Sequence, residues 1–176
     1  MPIHSEPHST PSFRKGLWIK VIISSVIIVS LGSLSGLLTS SSISDWYVTL
    51  EKPSFNPPNW IFGPAWLTLY ILMGISFARM WQVAVRSRYP LVNRFAKRGL
   101  IIFSIHFLFN LAWTPVFFGL QNPGWALVII IIILAFIIIL IRHFFRIDRI
   151  AAFLLIPYLA WVSFATLLNA SIVYLN

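Results

Sequence analysis

Residues 124–141 read GWALVIIIIILAFIIILI, eighteen positions without a single charge. A helix that is apolar on every face has no water-facing side, and a strand is not this long, so the run predicts a membrane-crossing helix. Working outward, comparable apolar stretches cover 17–39, 61–85, 99–120 and 150–175. Each is long enough to cross a hydrocarbon core about 30 Å thick. With 59% of 176 residues hydrophobic and 10% charged, and a mean hydropathy of +0.87, no room remains for a separate soluble domain. The predicted fold class is therefore an all-α membrane protein, a five-transmembrane-helix bundle over 17–176. The preceding tail, MPIHSEPHSTPSFRKG (1–16), is polar and proline-bearing and is expected to be disordered. The first apolar run is too long for the core of a cleaved signal peptide.

Basic residues set the expected orientation. Arg14, Lys15 and Lys20 precede the first span, Arg79, Arg86, Arg88, Arg94, Lys97 and Arg98 surround the second connection, and Arg142, Arg146 and Arg149 follow the fourth span. Only Lys52 falls on the other side. Positive charge retained on the cytoplasmic side puts the N-terminus inside, with the C-terminus and the first loop outside. The net charge of +9 is then a consequence of topology, which argues against a nucleic-acid partner and leaves the lipid bilayer as the counter-surface. Absence of cysteine excludes disulfides and thiolate chemistry.

The connection into the second span reads WYVTLEKPSFNPPNWIFGPAWLTLY over 46–70. Prolines 53, 57, 58 and 64 each fix φ and remove a donor, so this loop is stiff and shaped rather than helical. Behind it, Trp66, Tyr70, Phe77 and Trp81 recur at helical spacing on span two. His106, Asn110, Trp113 and Phe117 do so on span three, and Tyr158, Trp161, Ala165 and Asn169 on span five. Spans two, three and five are expected to converge, while the uniform span four reads as mainly lipid-facing. Trp18, Trp81 and Trp125 read as headgroup anchors. Pro115 and Pro157 would free the carbonyls of Leu111 and Phe153 and open the helices beside these stripes.

Polar groups inside hydrocarbon need partners, so Asn110 and Asn169 serve either as bonds between helices or as contacts to a ligand's polar edge. The four acidic residues, Glu6, Asp45, Glu51 and Asp148, all fall in the tail or in loops, which disfavours a carboxylate proton relay. His106 is the lone histidine within a span and lacks companions for a metal site. What remains is a binder of flat, apolar, aromatic molecules.

These motifs carry a resemblance. The loop pattern at Trp46 to Trp60, its continuation from Pro64 to Tyr70, NLAWTPVFFG at 110–119, GWAL at Gly124 and PYLAWVSFATLLN at 157–169 together resemble the translocator protein family. That family is also known as the tryptophan-rich sensory or peripheral benzodiazepine receptor family. The resemblance implies a five-helix bundle, commonly a homodimer, with a pocket under the first loop for porphyrins or heme as ligand and no required cofactor. It further implies that Trp66, Asn110, Trp113, Trp161 and Ala165 contact ligand, with Trp46, Pro53 and Trp60 in a lid. His106 stands where the family usually has glutamine, which adds it to the candidate ligand-binding residues and raises the idea of axial heme ligation. Propionates of a porphyrin would suit the mouth near Lys52. The C-terminal Tyr174 lacks the basic residue of the family's proposed sterol motif, which favours tetrapyrroles over sterols.

Three function classes follow. A tetrapyrrole-binding sensor or transporter is preferred. A light-dependent porphyrin-degrading enzyme would use Trp66 and Trp161 as redox-active side chains. A structural dimer or scaffold would use Gly32 and Gly36 as a GxxxG face on span one.

Overall fold

In the computed structural model, which describes residues 16–37, 39, 42 and 45–176, each apolar run is a helix. Five segments are long and apolar enough to cross a membrane: Leu17–Leu37, Asn59–Arg86, Pro90–Gly119, Pro123–Phe145 and Arg149–Leu175. Within them lie α1 (Leu17–Leu37), α2 (Phe62–Arg86), α3 (Pro90–Thr114), α4 (Pro123–Phe145), α5 (Arg149–Phe153) and α6 (Ile156–Leu175). Arg14, Lys15 and all of the expected tail except Gly16 lie outside the described residues.

Helix boundaries follow local chemistry more closely than the hydropathy runs did. α3 begins at Pro90, nine residues before the expected start at Gly99, because a proline suits the first turn of a helix and Tyr89 before it is extended. Arg94, Lys97 and Arg98 therefore ride on a helix rather than a loop. Their charges ended the apolar window without ending the backbone pattern. α1 stops at Leu37, and Thr39 sits in a turn, its Oγ1 donating to the carbonyls of Ser35 and Gly36. Asn122 caps α4 by accepting from the Trp125 amide, again with proline in the first turn.

α1 packs along α2, α2 against α3, α3 against α4, and α4 against α6. Three glycines permit close approaches. A Cβ on Gly32 would enter the Tyr70 ring, one on Gly74 would meet the backbone of Ser25, and one on Gly99 would lie 2.9 Å from His143 and Phe144 side-chain atoms. Of the two glycines of the GxxxG pattern, Gly32 thus packs on Tyr70 within the chain, while nothing lies within 4 Å of a Cβ built on Gly36. α4 likewise differs from expectation. Ala126, Ile130, Ile133, Ile137, Leu140 and Phe144 form one buried seam at alternating four- and three-residue steps, while Trp125, Val128, Ile131 and Ile138 are exposed. A uniform apolar run hides which face is the seam.

The end of the bundle away from the first loop is tied by polar contacts. Arg79 on α2 pairs with Asp148 at 2.8 Å, and Asp148 also caps α5 through the Ala151 amide. Ser76 Oγ donates to the Ala151 carbonyl at 2.7 Å, His143 Nε2 lies 2.9 Å from the Phe95 carbonyl oxygen, and Lys20 on α1 donates to Gln82 on α2. Asp148 lies in a connection as expected, but at 1% exposure it is a buried charge. Such a charge is tolerated only while its partner is present. Asp148→Asn retains a capping oxygen but strands Arg79, and is expected to cost about 3 kcal/mol of stability. Thermal unfolding of the detergent-solubilised protein checks this, and an unchanged midpoint would refute the role given to the pair.

Candidate functional site: an aromatic cavity under the first loop

Toward the first loop the helices part. The fifth span breaks at Leu154 and Leu155, just before Pro157, separating α5 from α6. α2 touches the five residues of α5 more extensively than the twenty of α6, so the two spans meet at one end and diverge at the other. On α3, Pro115 has no amide to donate, and the helix widens into a π turn over Pro115–Gly119, closed by Leu120 N–H donating to the Pro115 carbonyl at 2.8 Å. The carbonyl of Leu111, freed by the same proline, accepts from Ser35 Oγ of α1 at 3.1 Å.

Between these elements lies a cavity of about 420 Å³. Trp66 and Tyr70 reach it from α2, Asn110 and Trp113 from α3, and Trp161, Ala165 and Asn169 from α6. The five residues that the family resemblance implied as ligand contacts, Trp66, Asn110, Trp113, Trp161 and Ala165, are thus brought to one wall. Their rings pack edge to face and offset: Trp66 with Tyr70 at 5.4 Å and Tyr158 at 6.3 Å, Trp113 stacked on Phe117 at 5.0 Å, and Phe62 edge-on to Trp161 at 5.9 Å. The wall also includes parts of α1 and α4, through Gly32, Ser33, Gly36, Ile130 and Ile133, beyond the three spans expected to converge.

The polar side chains of the wall are held between helices. Tyr70 Oη donates to Asn110 Oδ1 at 3.2 Å, and Asn110 Nδ2 donates to Tyr158 Oη at 2.9 Å. Asn169 Oδ1 accepts from Trp113 Nε1 at 3.4 Å, and its Nδ2 donates to the Pro123 carbonyl at 2.9 Å. Both asparagines therefore bond between elements and also line the cavity. Trp161 Nε1 is buried with no partner, an unspent donor beside the same space.

His106 is not on the wall. It is 1% exposed, and its Nε2 lies 3.0 Å from Tyr158 Oη, one layer behind the cavity. Heme ligation by His106 has no line of approach in this arrangement. Among the described residues, no three His, Asp or Glu side chains cluster as a metal site would require.

The loop also differs from its expected parts. Trp60 is 73% exposed, and Trp46, Pro53 and Trp60 are not among the lining residues. Trp46 instead backs the wall edge-on to Phe117 at 5.7 Å, and the Pro53 carbonyl accepts from the Asn56 amide at 2.9 Å in a turn. The loop residues that reach the cavity are Tyr47 and Asn59. Tyr47 is the hub: its ring packs against Phe117 and Phe118, its hydroxyl donates to Asn56 Oδ1 at 3.1 Å, and Lys52 Nζ sits 4.8 Å above the ring. Burial pushes the Tyr47 hydroxyl above its ordinary pKa, which keeps it a donor throughout the neutral range. Lys52 Nζ donates to the Leu50 carbonyl at 3.0 Å, so it roofs Tyr47. The adjacent Trp46 drew attention in the sequence; the fixed geometry of the next residue had no separate signal.

Comparison with known proteins agrees with this architecture. The TspO/MBR family description matches residues 24–175. The chain is 38% identical over 148 residues to the Tryptophan-rich protein TspO of Chlorobaculum tepidum, covering 84% of this chain and 90% of that protein. It is 35% identical over 127 residues to the human Translocator protein, covering 70% of each, and 35% identical over 132 residues to the Tryptophan-rich sensory protein of Cereibacter sphaeroides, covering 75% and 77%. The chain belongs to the TspO/MBR family of integral, multi-pass membrane proteins.

Proposed function

We propose that the cavity binds a tetrapyrrole, protoporphyrin IX or heme, and that the protein acts as a sensor or transporter of it. The observation that carries this reading is the convergence of Trp66, Trp113 and Trp161, from three different spans, on one cavity of about 420 Å³. A flat macrocycle gains from apolar burial and from stacking on indole faces, and a cavity of this size falls within the range of small-molecule sites. The unpartnered Trp161 N–H supports a ligand with an acceptor at its edge. Relatives carry the names translocator and sensory protein, which fit movement or detection of a bound molecule.

Titration of the purified protein with protoporphyrin IX, followed by the shift of the porphyrin absorption band and by tryptophan quenching, tests the proposal. Trp113→Leu is expected to weaken binding about fivefold, the scale of one lost aromatic stacking contact. Trp125→Leu, at an exposed position on α4, is expected to leave affinity unchanged. Equal affinity of the Trp113 variant and the parent would exclude the cavity as the site.

The same reading orients the chain with its N-terminus in the cytoplasm and the first loop on the far side, because the basic residues gather at the opposite end. The chain has no cysteine, so single cysteines report cleanly. In intact cells carrying the protein in a bacterial inner membrane, a membrane-impermeant maleimide should label Ser54→Cys and spare Ser87→Cys. The reverse pattern would invert the topology.

A further inference from the structure

The last turn of α6 is hydrogen-bonded to the first loop through the side chain of Asn176. Asn176 Oδ1 accepts from the Glu51 amide at 3.0 Å, and Asn176 Nδ2 donates to the Glu51 carbonyl at 3.1 Å. The second Nδ2 hydrogen goes to the Ile172 carbonyl at 2.9 Å. Both donors and the acceptor of the amide are thus committed, and reversing the amide would set donor against donor. The tie has the reciprocal form of a strand pair, made by a side chain to the backbone of a residue 125 positions away.

Its place matters more than its strength. Ile172 lines the cavity and packs in a cluster with Tyr47, Phe117 and Leu168, against which Trp46 and Leu50 also rest. Glu51 directly follows Leu50, so the Asn176 amide fixes the point at which the Tyr47 to Leu50 segment is pressed onto the end of α6. Elsewhere the loop rests on aromatic contacts, Tyr47 on Phe117 and Phe118 and Phe55 on Phe164 at 6.2 Å, which tolerate sliding. The amide pair is directional and is either made or broken.

We propose that Asn176 is a positioning residue: its clasp on Glu51 holds the Tyr47 to Lys52 segment over the cavity, and ligand passes when that clasp opens. This rests on the cavity being the ligand site. Opening lowers the barrier for arrival and departure alike, so the clasp governs rates more than affinity.

The test uses the full chain in lipid nanodiscs with protoporphyrin IX as probe and stopped-flow tryptophan quenching as readout. Asn176→Ala is expected to raise both the association and dissociation rates about fivefold, the effect of one net hydrogen bond, with the dissociation constant changed less than about twofold. Asn176→Asp, which retains an acceptor but sets oxygen against the Glu51 and Ile172 carbonyls, should behave similarly. In parallel, hydrogen exchange without ligand should quicken over residues 47–56 in both variants. Unchanged exchange there would overturn the clasp itself. Quickened exchange with unchanged binding rates would overturn its control of access and point to passage between helices. Failure of the parent protein to bind porphyrin would instead count against the proposed function, while the exchange result would still decide whether the clasp holds the loop.

Discussion

A backbone carbonyl released inside hydrocarbon has no water to turn to, and this constraint organises the site. Pro115 removes the amide that would have bonded Leu111, and the freed carbonyl is taken by Ser35 Oγ from α1. That bond draws a neighbouring helix to the break, and the π turn that follows brings both Phe117 and Phe118 to the cavity. In a regular helix, consecutive side chains stand about 100° apart, so a wider turn is what lets two adjacent rings share one wall. Proline, serine and the aromatic pair thus form one causal chain: a lost donor, its replacement, a widened turn and a curved apolar surface.

The bundle is closed at one end and parted at the other for matching reasons. Where Arg79 meets Asp148 and Ser76 meets the Ala151 carbonyl, directional bonds join the helices, Gly74 lets α2 approach the backbone of α1 at Ser25, and Gly99 makes room for the His143 and Phe144 side chains. Beyond the break before Pro157 the contacts become aromatic, and large rings from different spans, Phe62 against Trp161 at 5.9 Å and Trp66 against Tyr158 at 6.3 Å, hold helices apart as much as together. The buried amides of Asn110 and Asn169 keep this looser half in register, because each spans two elements with directional bonds. A cavity is then sustained by a rigid frame rather than by a packing defect.

Much of the architecture was readable in the sequence because a membrane leaves few options: an uncharged run of eighteen residues has to be a spanning helix. The stripes containing Trp66, Asn110, Trp113 and Trp161 were legible for a related reason, since polar and aromatic side chains at helical spacing stand out in an aliphatic background. Other features gave no such contrast. The seam of α4 is invisible in a run where every face is isoleucine or leucine, and only its neighbours decide which face is buried. The spacing of Gly32 and Gly36 shows that two glycines share a side of α1, not that the first of them packs on Tyr70. In the loop, the prolines and tryptophans marked rigidity correctly, yet which ring points inward depends on turns such as the one closed between Pro53 and Asn56. Trp60 therefore faces outward, while Tyr47 roofs the cavity.

His106 shows how a residue off the wall still acts on it. Tyr158 Oη accepts from Asn110 Nδ2 and lies 3.0 Å from His106 Nε2; in the tautomer that leaves Nε2 unprotonated, the Tyr158 proton is directed to that nitrogen. The histidine thereby orients the hydroxyl, the hydroxyl orients the amide, and the amide places its oxygen for Tyr70 at the cavity. In that tautomer His106 is an acceptor held one layer behind the wall, whereas the other tautomer would give Tyr158 two donors and leave its own proton to find another recipient.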